Sequence, residues 1–60
     1  MYKVKNFNYN SGKTLQEELK TWIESRNHIS IVSVNTWSVE QLQDVFHYAT
    51  VVYKETQYNL

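Results

Sequence analysis

The chain has 60 residues with no formal net charge, no Cys, no Pro and a single Gly. That size allows one domain with a small core, near the lower limit for folding without disulfides or metal, and the missing Cys excludes thiolate, disulfide and Cys-based zinc chemistry. A pI of about 6.7 speaks against a dedicated duplex nucleic-acid binder, and no apolar run approaches the roughly 20 residues of a membrane span or a signal sequence, so a soluble cytoplasmic protein is expected.

Tyr2 to Phe7 alternates loosely around Val4 and predicts a short strand. Lys3 and Lys5 fall on one face of it, where lysines discourage unwanted edge pairing. Asn8 to Lys13 supplies turn residues, including the only glycine. Thr14 with Glu17 matches a capping box, and Leu15, Leu19, Trp22 and Ile23 recur at helical spacing behind it. The expected helix ends near Asn27, with Trp22 as its anchor and Arg26 at its C-terminus.

From His28 to Trp37 the β-branched residues predict a second strand. Its apolar positions are odd at Ile29 and Ile31 and even at Val32 and Val34, which calls for a bulge or for an unpaired early part. Ser38 to Asp44 is polar apart from Val39 and Leu42 and reads as a connection. Val45 to Tyr53 is the last strand, apolar on both faces: Val45, Ala49, Val51 and Tyr53 on one side with His47, and Phe46, Tyr48 and Val52 on the other. Glu55 to Leu60 reads as a polar tail.

These elements predict an α+β fold, a single β-α-β-β domain over 1–60. Its three-stranded sheet carries the last strand in the middle, the first two strands are linked by a right-handed crossover, and one helix covers one face. The other face is then left for a second copy, so the protein is expected to be a homodimer or higher oligomer that associates through the sheet at Phe46, Tyr48 and Val52.

Catalytic signals are few. His28 and His47 are a whole strand apart, no metal-ligand spacing or nucleophile elbow is present, and one glycine cannot build a phosphate loop. No catalytic residue, metal or cofactor is expected. Binding is better supported, because the chain holds two Trp, five Tyr and two Phe. Tyr2, Phe7, Tyr9, Trp37, Tyr48 and Tyr58 stand outside the obvious helix-facing core. Such rings fill small cores and interfaces, and they also stack on nucleobases. Trp37 and Tyr48 are the candidate stacking residues, Arg26 and Lys54 the candidate phosphate partners, and His47 is a further candidate contact.

The opening Val4-Lys5-Asn6-Phe7, the helix with Leu15 and Glu18, and the ending Ala49-Thr50-Val51-Val52-Tyr53-Lys54 together resemble the small sporulation-associated proteins of Bacillus and its phages. The likeness spans nearly the whole chain. Asn6 departs from it where an aliphatic residue is expected, and His47 where an aromatic one is. It implies no enzymatic activity. Phages also encode very small oligomeric proteins that sequester the nucleotide signals of bacterial immune systems without cleaving them, and the chain is similar to these in size, expected self-association and aromatic content. The expectation is a non-enzymatic sponge for a nucleotide signal in the cytoplasm of a bacterial host cell. The alternative is a protein-binding factor with no small ligand. Neither duplex nucleic acid nor membrane is an expected partner.

Overall fold

The computed structural model describes residues 1–56 of the chain. Strand β1 (Tyr2–Tyr9) leads to helix α1 (Gly12–Glu24), then to β2 (Ile29–Gln41) and β3 (Asp44–Glu55). The sheet order is β1-β3-β2, and β3 runs antiparallel to both neighbours. The α+β class, the three-stranded sheet and the central last strand are as the sequence predicts.

The boundaries differ for physical reasons. Strand β1 runs on through Asn8 and Tyr9, which pair with Tyr48 and His47. The helix begins earlier than Thr14, because Ser11 is the cap: its Oγ accepts from the Thr14 backbone N–H at 3.3 Å. The Ser11 hydroxyl thus takes the Thr14 amide that a capping box at Thr14 would assign to Glu17. The helix also stops at Glu24, short of Asn27. There Ser25 donates its amide to the Thr21 carbonyl at 3.0 Å and its hydroxyl to the Trp22 carbonyl at 2.7 Å, and the Arg26 amide takes the Ile23 carbonyl at 3.2 Å, which satisfies three of the last-turn acceptors.

The register of β2 slips between Ile31 and Ser33. This is the bulge option, and both parts of the strand are paired. Ser38 to Gln41, read as part of a connection, is strand instead. Its polar residues face solvent on a hairpin arm that closes through Leu42 and Gln43 alone. Glu55 is the last residue of β3, and Thr56 N–H donates to the His28 carbonyl at 2.7 Å. The rest of the expected tail, including Tyr58, lies outside the described residues.

The core lies between α1 and one face of the sheet. Phe7, Leu15, Ala49, Val51 and Tyr53 are buried, and Tyr9, Leu19, Trp22 and Ile29 pack against them. Phe7 and Tyr9, expected outside the core, therefore belong to it. Trp22 is the wedge: its indole meets Phe7 edge-on at 5.9 Å and Tyr53 at 5.1 Å. Edge-to-face pairs at this separation add about 0.5–1.5 kcal/mol each beyond their area burial. Lys3 and Lys5 sit on this helix-side face of β1, Lys3 paired with Glu55 at 3.0 Å and Lys5 over the Phe7 ring at 5.6 Å.

The helix is smaller than the face it is expected to cover. It packs over β1 and β3 and makes no close approach to β2. Every residue from Ser30 to Gln41 is consequently exposed. Val45, on the helix side of β3, is 40% exposed because it lies beyond the end of β1 on the projecting hairpin.

Backbone permissiveness is used in an unexpected place. The single glycine sits in the first turn of the helix rather than in a turn between elements, while Leu42, almost fully exposed in the two-residue loop, has a φ of 56°. A left-handed residue with a Cβ costs roughly 1–2 kcal/mol. Leu42→Gly is therefore expected to stabilise the fold by about 1 kcal/mol. A Cβ on Gly12 would rest in ordinary contact 3.5 Å from the His47 ring, so Gly12→Ala should add about 0.5 kcal/mol. Urea unfolding midpoints check both, and a loss of stability in either variant contradicts this account of the backbone.

Candidate functional site

Successive residues of β3 point to opposite sides of the sheet. His47, Ala49, Val51 and Tyr53 face α1, which decides a point that an apolar run on both faces leaves open. Phe46, Tyr48, Thr50 and Val52 face away from the helix and are half-buried by their neighbours alone. The register sets Trp37 of β2 beside Tyr48, and Asn6 of β1 and Asn35 of β2 beside Thr50.

Trp37 and Tyr48 stack on one another in the middle of this helix-free face, with ring centroids 5.3 Å apart and planes only 10° from parallel. Trp37 remains 47% exposed. Beside the pair, Asn6, Asn8 and Thr50 complete the wall of a shallow depression of about 390 Å³. Thr50 Oγ1 donates to Asn6 Oδ1 at 2.8 Å, which holds that amide in place and leaves its NH₂ available as a donor. The depression thus offers flat aromatic surface along one side and amide groups along the other. That combination suits a planar heteroaromatic ring with a polar edge.

The remaining expected site residues are not gathered there. Arg26 lies past the helix C-terminus with its guanidinium 5.4 Å over the Trp22 ring, where it shields the core. Lys54 shares the helix-free face with Tyr48 but is six residues further along β3, about 20 Å away, and its ammonium sits 4.8 Å over the Tyr2 ring. Within one copy, neither cation meets a phosphate on a ligand stacked at Trp37 and Tyr48. His47 is on the opposite, helix-side face, where Ser38 Oγ and His47 Nδ1 share a 2.9 Å hydrogen bond beside Gly12. Its place there is the packing and hydrogen-bonding role that its position in the strand pattern suggests.

Asn6, Asn8 and Thr50 are site residues that sequence reasoning missed. The signal that could have found them is cross-strand alignment with Tyr48, which requires the pairing partner and register of β1. Among the described residues, no three His, Cys, Asp or Glu side chains gather to hold a metal ion, and no helix is long and apolar enough to cross a membrane. No family model, curated protein or solved structure matches this chain.

The two tryptophans should separate structure from site. Trp22→Ala removes the wedge of the core and is expected to cost about 3 kcal/mol or more. Trp37→Ala removes a half-exposed stacking partner and should cost about 1 kcal/mol or less. Urea unfolding followed by far-UV circular dichroism compares them, and equal losses would place Trp37 in the structural core.

Proposed function

We propose that the chain is a non-enzymatic, self-associating binding protein whose helix-free sheet face is its working surface. The stacked Trp37–Tyr48 pair carries this reading. Two large rings held flat and half open to solvent supply the stacking surface that nucleobases use, at about 1–3 kcal/mol per base. The amides of Asn6 and Asn8 stand where the edge of such a base would lie. A nucleotide-like ligand, bound chiefly through its base and sequestered without turnover, fits this arrangement and agrees with the resemblance to phage sponge proteins. Copies associate through Phe46, Tyr48 and Val52 on the same face. The setting that goes with this reading is the cytoplasm of a bacterial host cell.

A protein-binding factor is the second reading, and the β2 edge favours it. Between Ile29 and Gln41 that strand carries one charged residue, Glu40, and presents an unpaired backbone edge that an extended segment of another protein can join.

Native mass spectrometry of the protein as isolated from cells, repeated after unfolding and refolding, tests the ligand reading. A small-molecule mass lost on refolding, and thermal stabilisation by a panel of linear and cyclic nucleotides that Trp37→Ala abolishes, are the expected results. A bare protein that no nucleotide stabilises removes the ligand reading and leaves the protein-partner one. Turnover of any nucleotide would contradict the non-enzymatic assignment.

A further inference from the structure

The helix-free face of β3 reads, in chain order, Asp44, Phe46, Tyr48, Thr50, Val52, Lys54. An acid stands at one end and a base at the other, with no charged residue between them on this face. Turned end for end, the series complements itself: Asp44 meets Lys54, Phe46 meets Val52, and Tyr48 meets Thr50. We infer that a second copy covers this face in that register, with the two β3 strands antiparallel and a two-fold axis level with Ala49. The inference rests on the self-association in the reading above and specifies its geometry.

Charge selects the direction. If two copies stacked with their β3 strands parallel and in register, Lys54 would face Lys54 and Asp44 would face Asp44. The antiparallel arrangement replaces both repulsions with two equivalent Asp44–Lys54 pairs, as an isologous interface requires. Packed sheets lie about 10 Å apart, a gap that a lysine and an aspartate can bridge between them. Exposed pairs of this kind contribute little affinity and mainly set register. The apolar contacts of Phe46 with Val52 supply the burial. Because the axis crosses the strands, each strand faces its own counterpart, and Trp37, level with Tyr48, comes opposite Asn35 of the second copy, which is level with Thr50.

The helix-free face also holds apolar surface for such a partner to cover. Tyr2 and Val4 of β1 and Trp37 and Val39 of β2 share that face with Phe46, Tyr48 and Val52, and all four are exposed.

Zero-length carbodiimide cross-linking tests the register on the unaltered protein. Asp44 and Lys54 are ten residues apart along one extended strand, about 33 Å, so a Lys54–Asp44 cross-link can form only between copies. That product, located by peptide mass spectrometry in a cross-linked dimer, is the expected result. In sedimentation equilibrium, Lys54→Asp and Asp44→Lys should each raise the dimer Kd about tenfold, and the double reversal should restore it. Circular dichroism confirms that each variant folds. A wild-type protein that stays monomeric at every concentration overturns self-association and the register together. A dimer that yields no Lys54–Asp44 product and ignores the single reversals overturns the register alone.

Discussion

One thirteen-residue helix has to cover a three-stranded sheet whose central strand is apolar on both faces, and it can shield only part of one. What it does cover is held by Trp22, which reaches from α1 between Phe7 of β1 and Tyr53 of β3. This wedge binds the helix to the first and last strands and leaves β2 beyond Ile29 without a cover. The exposed hairpin and the open second face both follow from that unequal match. In a chain of this size, where hydrophobic burial and conformational entropy nearly cancel, such open surface is available for additional burial.

The two faces of β3 divide the labour. Toward the helix, Ala49 and Val51 are fully buried, with His47 bonded to Ser38 and Lys3 paired with Glu55 nearby. Away from it, polar side chains are interspersed among apolar ones instead of leaving a continuous oily patch, and a hydroxyl–amide pair, Thr50 with Asn6, sits between Tyr48 and Val52. A purely greasy face would associate without register. In the proposed function, the interspersed polar groups and the charges at the strand ends would give a meeting of copies a direction, and the ring pair would give a flat ligand a place to stack. In the proposed assembly Tyr48 and Thr50 belong both to the wall of the depression and to the self-complementary series, so a ligand stacked there would lie at the boundary between copies.

The edges differ too. On β1, Lys3 and Lys5 interrupt the strand with charge, a device that discourages pairing with another chain. The thirteen residues of β2 carry little of that protection. Its edge is the most open backbone of the described residues, and an extended strand from a protein partner would find it unguarded whether or not the helix-free face is occupied.

Much of this was legible in the residues themselves. Periodicity identified each element, and the change of parity between Ile31 and Val32 marked an irregularity there, a bulge or an unpaired early part, because side-chain direction in a strand depends only on the count of residues. Doubly apolar β3 implied a central position for the same reason. The boundaries were harder: Ser11 and Thr14 are both competent caps, and only the chain's path from β1 picks Ser11. The polar Ser38–Gln41 became strand because its partner, Asp44–Phe46, follows after two residues. The site depended on tertiary structure most of all. Trp37 and Tyr48 were recognisable as exposed aromatics, but their stacking, the approach of Asn6, Asn8 and Thr50, and the separation of Arg26, Lys54 and His47 from them are set by cross-strand register and by which face the helix takes. Those are contacts between residues distant in sequence, and local propensity carries no information about them.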